Sequence, residues 1–136
     1  MVFGFVRNAC LAIYEDFRQY LYDDTATVDD VLENEFLMIH ELVEISELKK
    51  MGKTINKRVI VDSSKITIYT AHFTAIEKEL EYALHKRDYA WVKNRLRQHK
   101  ESVLEDDPNL PQEMRPRAEA ILEKFEARLK ALGYTG

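Results

Sequence analysis

The sequence predicts an all-α fold: a single helical domain over residues 1–136, built as a bundle of about five helices. Three observations predict it. Apolar residues recur at three- and four-residue steps in five separate stretches, the spacing that gives a helix one apolar face. Only 4 glycines and 3 prolines are present, too few for a loop-rich β-fold. A single short β-branched run, Val59 to Val61, suits a strand, and it has no obvious partner.

The first helix is expected over residues 4–22, where Phe3, Val6, Cys10, Ile13, Phe17 and Leu21 fall on one stripe. Asp23, Asp24 and Thr25 break the pattern. A second helix is expected from Val28 to Gly52, with Thr27 as its cap and Asp30 reaching back to it. Lys49 and Lys50 suit the negative end of that helix, and Gly52 suits a left-handed stop. Its apolar residues spread broadly round the axis, from Val31 and Leu32 to Ile45 and Leu48, as in a helix contacted on several sides. This helix is the expected centre of the domain.

Residues 53–62 read as an extended connector, with a short extended segment near residues 57–62. Pairing of that segment across a dimer is the lesser alternative. Ser63 or Ser64 caps a third helix that runs to Lys86 on the stripe Ile66, Tyr69, Phe73, Ile76, Leu80 and Leu84. Asp88 caps a fourth over residues 89–105, with Trp91, Val92, Leu96 and Val103 inward. Asp106 to Pro111 is a loop, because Asp-Pro and Leu-Pro steps oppose a helix. The last helix begins near Pro116 and ends at Gly133.

Composition narrows the function. A net charge of −4 argues against a general nucleic-acid binder. The one basic region, Lys93, Arg95, Arg97 and His99, offers an RNA contact only as a lesser reading beside a solvated face. The lone Cys10 allows no intrachain disulfide, and the first residues form neither a signal peptide nor a membrane span. A cytoplasmic protein is the expectation, with no membrane partner.

His40 and Glu44 are four residues apart, so both project from one helix face. His72 and Glu79 are seven apart and nearly aligned on the next helix. If the two faces pack together, the four side chains meet as a site for a divalent transition metal, Zn, Fe or Mn. A metal-free acid–base pair with pKa values shifted by burial is the alternative. The zinc-protease pattern HExxH is absent, since Glu44 stands where its second histidine would be. A purely structural role stands beside these readings, with either histidine hydrogen-bonded in the core. Glu41 is expected on another, solvated side.

The runs FLMIHELVEISELKKMG, YTAHFTAIEKELEYAL and RDYAWVKNRL resemble an uncharacterised family of small archaeal proteins, over about residues 35 to 95. The resemblance implies an archaeal, thermophilic or acidophilic source and a cytoplasmic location, and it supplies no activity. Two functions therefore stand. One is a helical interaction module, a homo-oligomer that pairs through its apolar helices. The other is a His/Glu metal-binding site, catalytic or not, at His40, Glu44, His72 and Glu79.

Overall fold

The computed structural model describes residues 34–55 and 59–134. The first described residue is a helix cap. Asn34 is extended, with φ −113° and ψ 118°, and its side-chain oxygen accepts from the N–H groups of Phe36 and Leu37 at 2.9 and 3.1 Å. Helix α1 follows over Glu35–Lys50. The expected start at Val28 is thereby corrected, because a helix cannot pass through an extended residue whose side chain already serves the first orphan N–H groups. Thr27, Cys10 and the helix expected over residues 4–22 lie outside the described residues. Gly52 ends α1 with φ 82°, the left-handed conformation anticipated for it.

Val59–Asp62 form a single helical turn, α2, closed by the Ser63 N–H on the Val59 carbonyl at 3.1 Å. The extended segment expected near residues 57–62 is corrected here for its described part. Val59 is buried, and packing outweighs the weak strand preference of a β-branched residue.

Helix α3, Lys65–His85, starts where Ser64 accepts from the Thr67 N–H at 3.2 Å. Asp88 caps α4, Tyr89–Gln98, through the Trp91 N–H at 3.1 Å. The chain then widens into a π-helical stretch, His99–Glu105, an uncommon geometry that turns up often at functional sites. A loop and a 3₁₀ turn, Gln112–Met114, lead to α5, Arg115–Ala131, with Pro116 in its first turn and Gly133 (φ 79°) past its end.

The all-α class holds. The described residues contain four helices of ten residues or more, against about five expected from the whole sequence. Among the described elements, α3 makes the most varied contacts. Helix α3 touches α1, α4 and α5, whereas α1 packs chiefly on α3 among the described elements. Burial on several faces of α3 follows from its composition, since Ala71, Ala75 and Ala83 allow close approach while Phe73 and Leu80 fill the gaps. The main apolar core joins Phe73, Leu80, Val92, Leu96, Ile121 and Phe125. Among the described residues no helix is long and apolar enough to cross a membrane.

Candidate metal centre

Three side-chain hydrogen bonds set α1 against α3. Tyr82 Oη donates to Glu35 Oε2 at 3.3 Å, His40 Nδ1 to Glu79 Oε1 at 2.8 Å, and His72 Nδ1 to Glu44 Oε1 at 3.0 Å. As the residue numbers rise along α1 their partners fall along α3, so the helices are antiparallel. His40, Glu44, His72 and Glu79 therefore meet in one polar layer, and all four are buried.

Glu44 Oε1 is the focus of the layer. It accepts from His72 and also from His40 Nε2 at 2.5 Å. One ligand atom each from His40, Glu44 and His72 lies within 4.8 Å of the others. Donor atoms on a tetrahedral zinc ion stand roughly 3.4 Å apart, given bonds of about 2.0–2.1 Å. His40, Glu44 and His72 would be the residues to hold such an ion.

Glu79 has a different job. Its Oε1 accepts from His40 Nδ1 and from Arg95 Nη2 at 3.0 Å, while its Oε2 accepts from Trp91 Nε1 at 2.8 Å and Arg95 Nε at 2.7 Å. A carboxylate offers four lone-pair positions in all, and here each is filled. Glu79 is thus placed behind His40 rather than beside Glu44, and it is outside the trio of potential ligands. A carboxylate that fixes the far nitrogen of a ligating imidazole is a recurrent support in metal sites.

The charges follow the geometry. Burial opposes a proton on His40, but the Glu44 carboxylate, and Glu79 after it, raise its pKa from 6.5 to about 10. Burial pushes Glu79 up, and Arg95 first and then His40 overcome this and hold it at about 2. Glu44 is likewise lowered against burial, chiefly by His40. For His72 burial wins, and its pKa falls despite the bond to Glu44. Without metal, the directions of these shifts leave His40 and Arg95 positive, Glu44 and Glu79 negative and His72 neutral.

Arg95 and Trp91 are the site residues that the histidine–glutamate spacing did not single out. A signal existed. Glu79 and Arg95 stand at equal distance before and after Arg87, the residue with φ 62° at the turn between α3 and α4. Such positions face each other across a helical hairpin.

The basic region divides. Arg95 turns inward to Glu79, and buried His99 donates from Nε2 to the Ala118 carbonyl at 2.8 Å. Lys93 and Arg97 instead line an open groove of about 540 Å³ with Lys100, Lys130 and Tyr134, and Glu101, Glu105 and Glu126 share its walls. That mixed lining lacks the one-signed field of a phosphate-binding surface. Glu41, expected in solvent, is buried at 8% exposure.

No protein-family model matches the chain, and neither a curated protein nor a solved structure is significantly similar to it.

Proposed function

We propose that the protein binds one divalent transition-metal ion, zinc, iron or manganese, through His40, Glu44 and His72. The observation that carries this is the pairing of a convergent buried trio with a carboxylate, Glu79, that fixes the outer nitrogen of His40 and is itself fully bonded to Arg95 and Trp91. A helical core that needed only stability gains little from burying two ion pairs, since apolar residues of similar volume do as well or better. Three protein ligands leave one coordination position open, the pattern of centres that take up an exogenous ligand rather than of closed structural sites. The reaction class stays unassigned. A reducing, cytoplasmic setting suits the lone Cys10.

Elemental analysis of the purified chain, beside the double variant His40→Ala/His72→Ala, tests the reading. Near-stoichiometric metal in the wild type and none in a variant with unchanged helical circular dichroism is expected. A wild type that takes up none of the three ions after incubation with each overturns it.

A second reading, a self-associating module, rests on the apolar residues left exposed. Leu42 and Met51 on and beside α1 and Ile66 at the start of α3 are 40, 37 and 44% exposed. By the antiparallel register Met51 and Ile66 lie at one end of the helix pair. Light scattering tests it: a dimer or larger species in the wild type that becomes a monomer in Leu42→Glu/Ile66→Glu supports pairing through this surface.

A further inference from the structure

We infer that copies of this chain join through unlike surfaces, the outward face of α1 on one copy lying in the groove between α4 and α5 on the next. The inference rests on the self-association reading, for which it names the second surface. It starts from the order of charges along the groove. The Tyr89 and Tyr134 rings meet at 5.9 Å, Lys93 lies over the Tyr134 ring, and His99 reaches the Ala118 carbonyl. Partners fall in number as α4 rises, so α4 and α5 are antiparallel. Lys93, Arg97 and Lys130 therefore gather toward the Tyr134 end of the groove, while Glu101 and Glu105 stand toward the other. Lys100 and Glu126, one of each sign, lie between them, and the buried Leu96 and Leu129 give an apolar floor. Across α3 and α5 the surface charges pair off, Glu77 and Glu81 with Arg117 and Lys124 at 3.1 to 3.8 Å. Among the described residues, the charged groups that line the groove make no such pairs.

The outward face of α1 carries the complementary order. Glu35 and Leu42 are seven residues apart and nearly aligned, and Ile39, Ser46 and Lys50 fall on the same side of the axis. Glu35 and Lys50 are exposed, and Leu42 between them is 40% exposed. Among the described residues Glu35 bonds Tyr82 through Oε2 alone. The exposed pair of Lys50 with Glu47, at 3.2 Å, is of a kind worth little. At 1.5 Å per residue, Glu35 to Lys50 spans about 22 Å and Lys93 to Glu105 about 18 Å. The two match to within about one helical turn. Laid parallel to α4, α1 of a second copy brings Glu35 to Lys93 and Lys130, Leu42 to the leucine floor, and Lys50 to Glu101 and Glu105. Such a contact is heterologous, so every copy offers both halves of it and growth proceeds to a ring or an open chain.

Light scattering on the full chain tests this. The wild type is expected to exceed the monomer mass and to grow with concentration. Lys93→Glu/Lys130→Glu reverses two exposed charges at one end of the groove and should weaken association roughly tenfold or more. Leu42→Glu should weaken it comparably from the other side. Each variant keeps one intact surface, so an equimolar mixture should form a 1:1 dimer that neither forms alone. That dimer also proves both variants folded, and Arg97→Glu, at another exposed position, repeats the test if the lysine pair does not fold. A mixture of folded variants that stays monomeric, or a Lys93→Glu/Lys130→Glu variant that associates like the wild type, overturns the inference and leaves self-association through Leu42 standing. A wild type that is monomeric at every concentration overturns both.

Discussion

Glu79 accepts four hydrogen bonds while wholly buried, so its removal has two separable effects. Glu79→Gln should lower metal affinity by about 10- to 100-fold, measured by competition with a chelator, because His40 loses its orienting partner. It should also cost about 1–3 kcal/mol in urea unfolding of the metal-free chain, because the half-buried Arg95 loses its counter-charge. His99 gives a prediction of the opposite kind. Burial lowers its pKa from 6.5 to about 4, the bond to the Ala118 carbonyl opposing this, with His72 and Arg95 adding to it. The unfolded chain then binds a proton between those two values that the folded chain refuses. Stability should therefore fall as pH drops from about 6.5 to about 4, by about 3 kcal/mol from this residue. In His99→Gln that part of the pH dependence should vanish, as read from urea unfolding at a series of pH values. The histidines and glutamates of the site were legible from their spacing. Arg95 and His99 were not, because a run of basic residues reads as a solvated face unless the turn at Arg87 is used to fold it onto α3.

At the scale of the elements, caps were the most legible feature where a Ser or Asp stood before a periodic run. Ser64 and Asp88 both serve as the sequence requires. Asn34 was passed over because apolar residues continue on both sides of it, and periodicity cannot show that an Asn side chain has captured two backbone donors. Asn34→Ala should cost about 1 kcal/mol in thermal or urea unfolding, and Asn34→Asp, which keeps the acceptor, should cost far less. The Val59–Val61 run misled in the other direction, since propensity there is weaker than the burial of Val59. The π-helical stretch after Gln98 had no signal either. Residues 89–105 read as one continuous helix, and a widened turn depends on what His99 packs against, Phe73 and Ala118, rather than on local sequence.

At the scale of the whole molecule, fold class came from composition and periodicity, while the range of contacts made by the helix over Lys65–His85 did not. The region around α1 carries a longer uninterrupted helical signal, but among the described elements α3, with its alanines, is the helix that α1, α4 and α5 all touch. Because the proposed ligands come from α1 and α3 together, the metal reading requires uptake to be coupled to folding of the domain. An ion present at a hundred times its dissociation constant should add about 2.7 kcal/mol to unfolding and raise the midpoint on the order of 10 °C for a chain of this size. Scanning calorimetry with and without the ion checks this, and His40→Ala/His72→Ala should show no shift.

The Glu79 carboxylate joins three helices at one point: its own α3, α1 through His40, and α4 through Trp91 and Arg95. No one of these helices can lift away without breaking that junction. In native-state hydrogen exchange, the backbone amides of the three facing turns should therefore share a single opening free energy. Under the proposed metal reading, the turns that open together are the ones that would hold the ion.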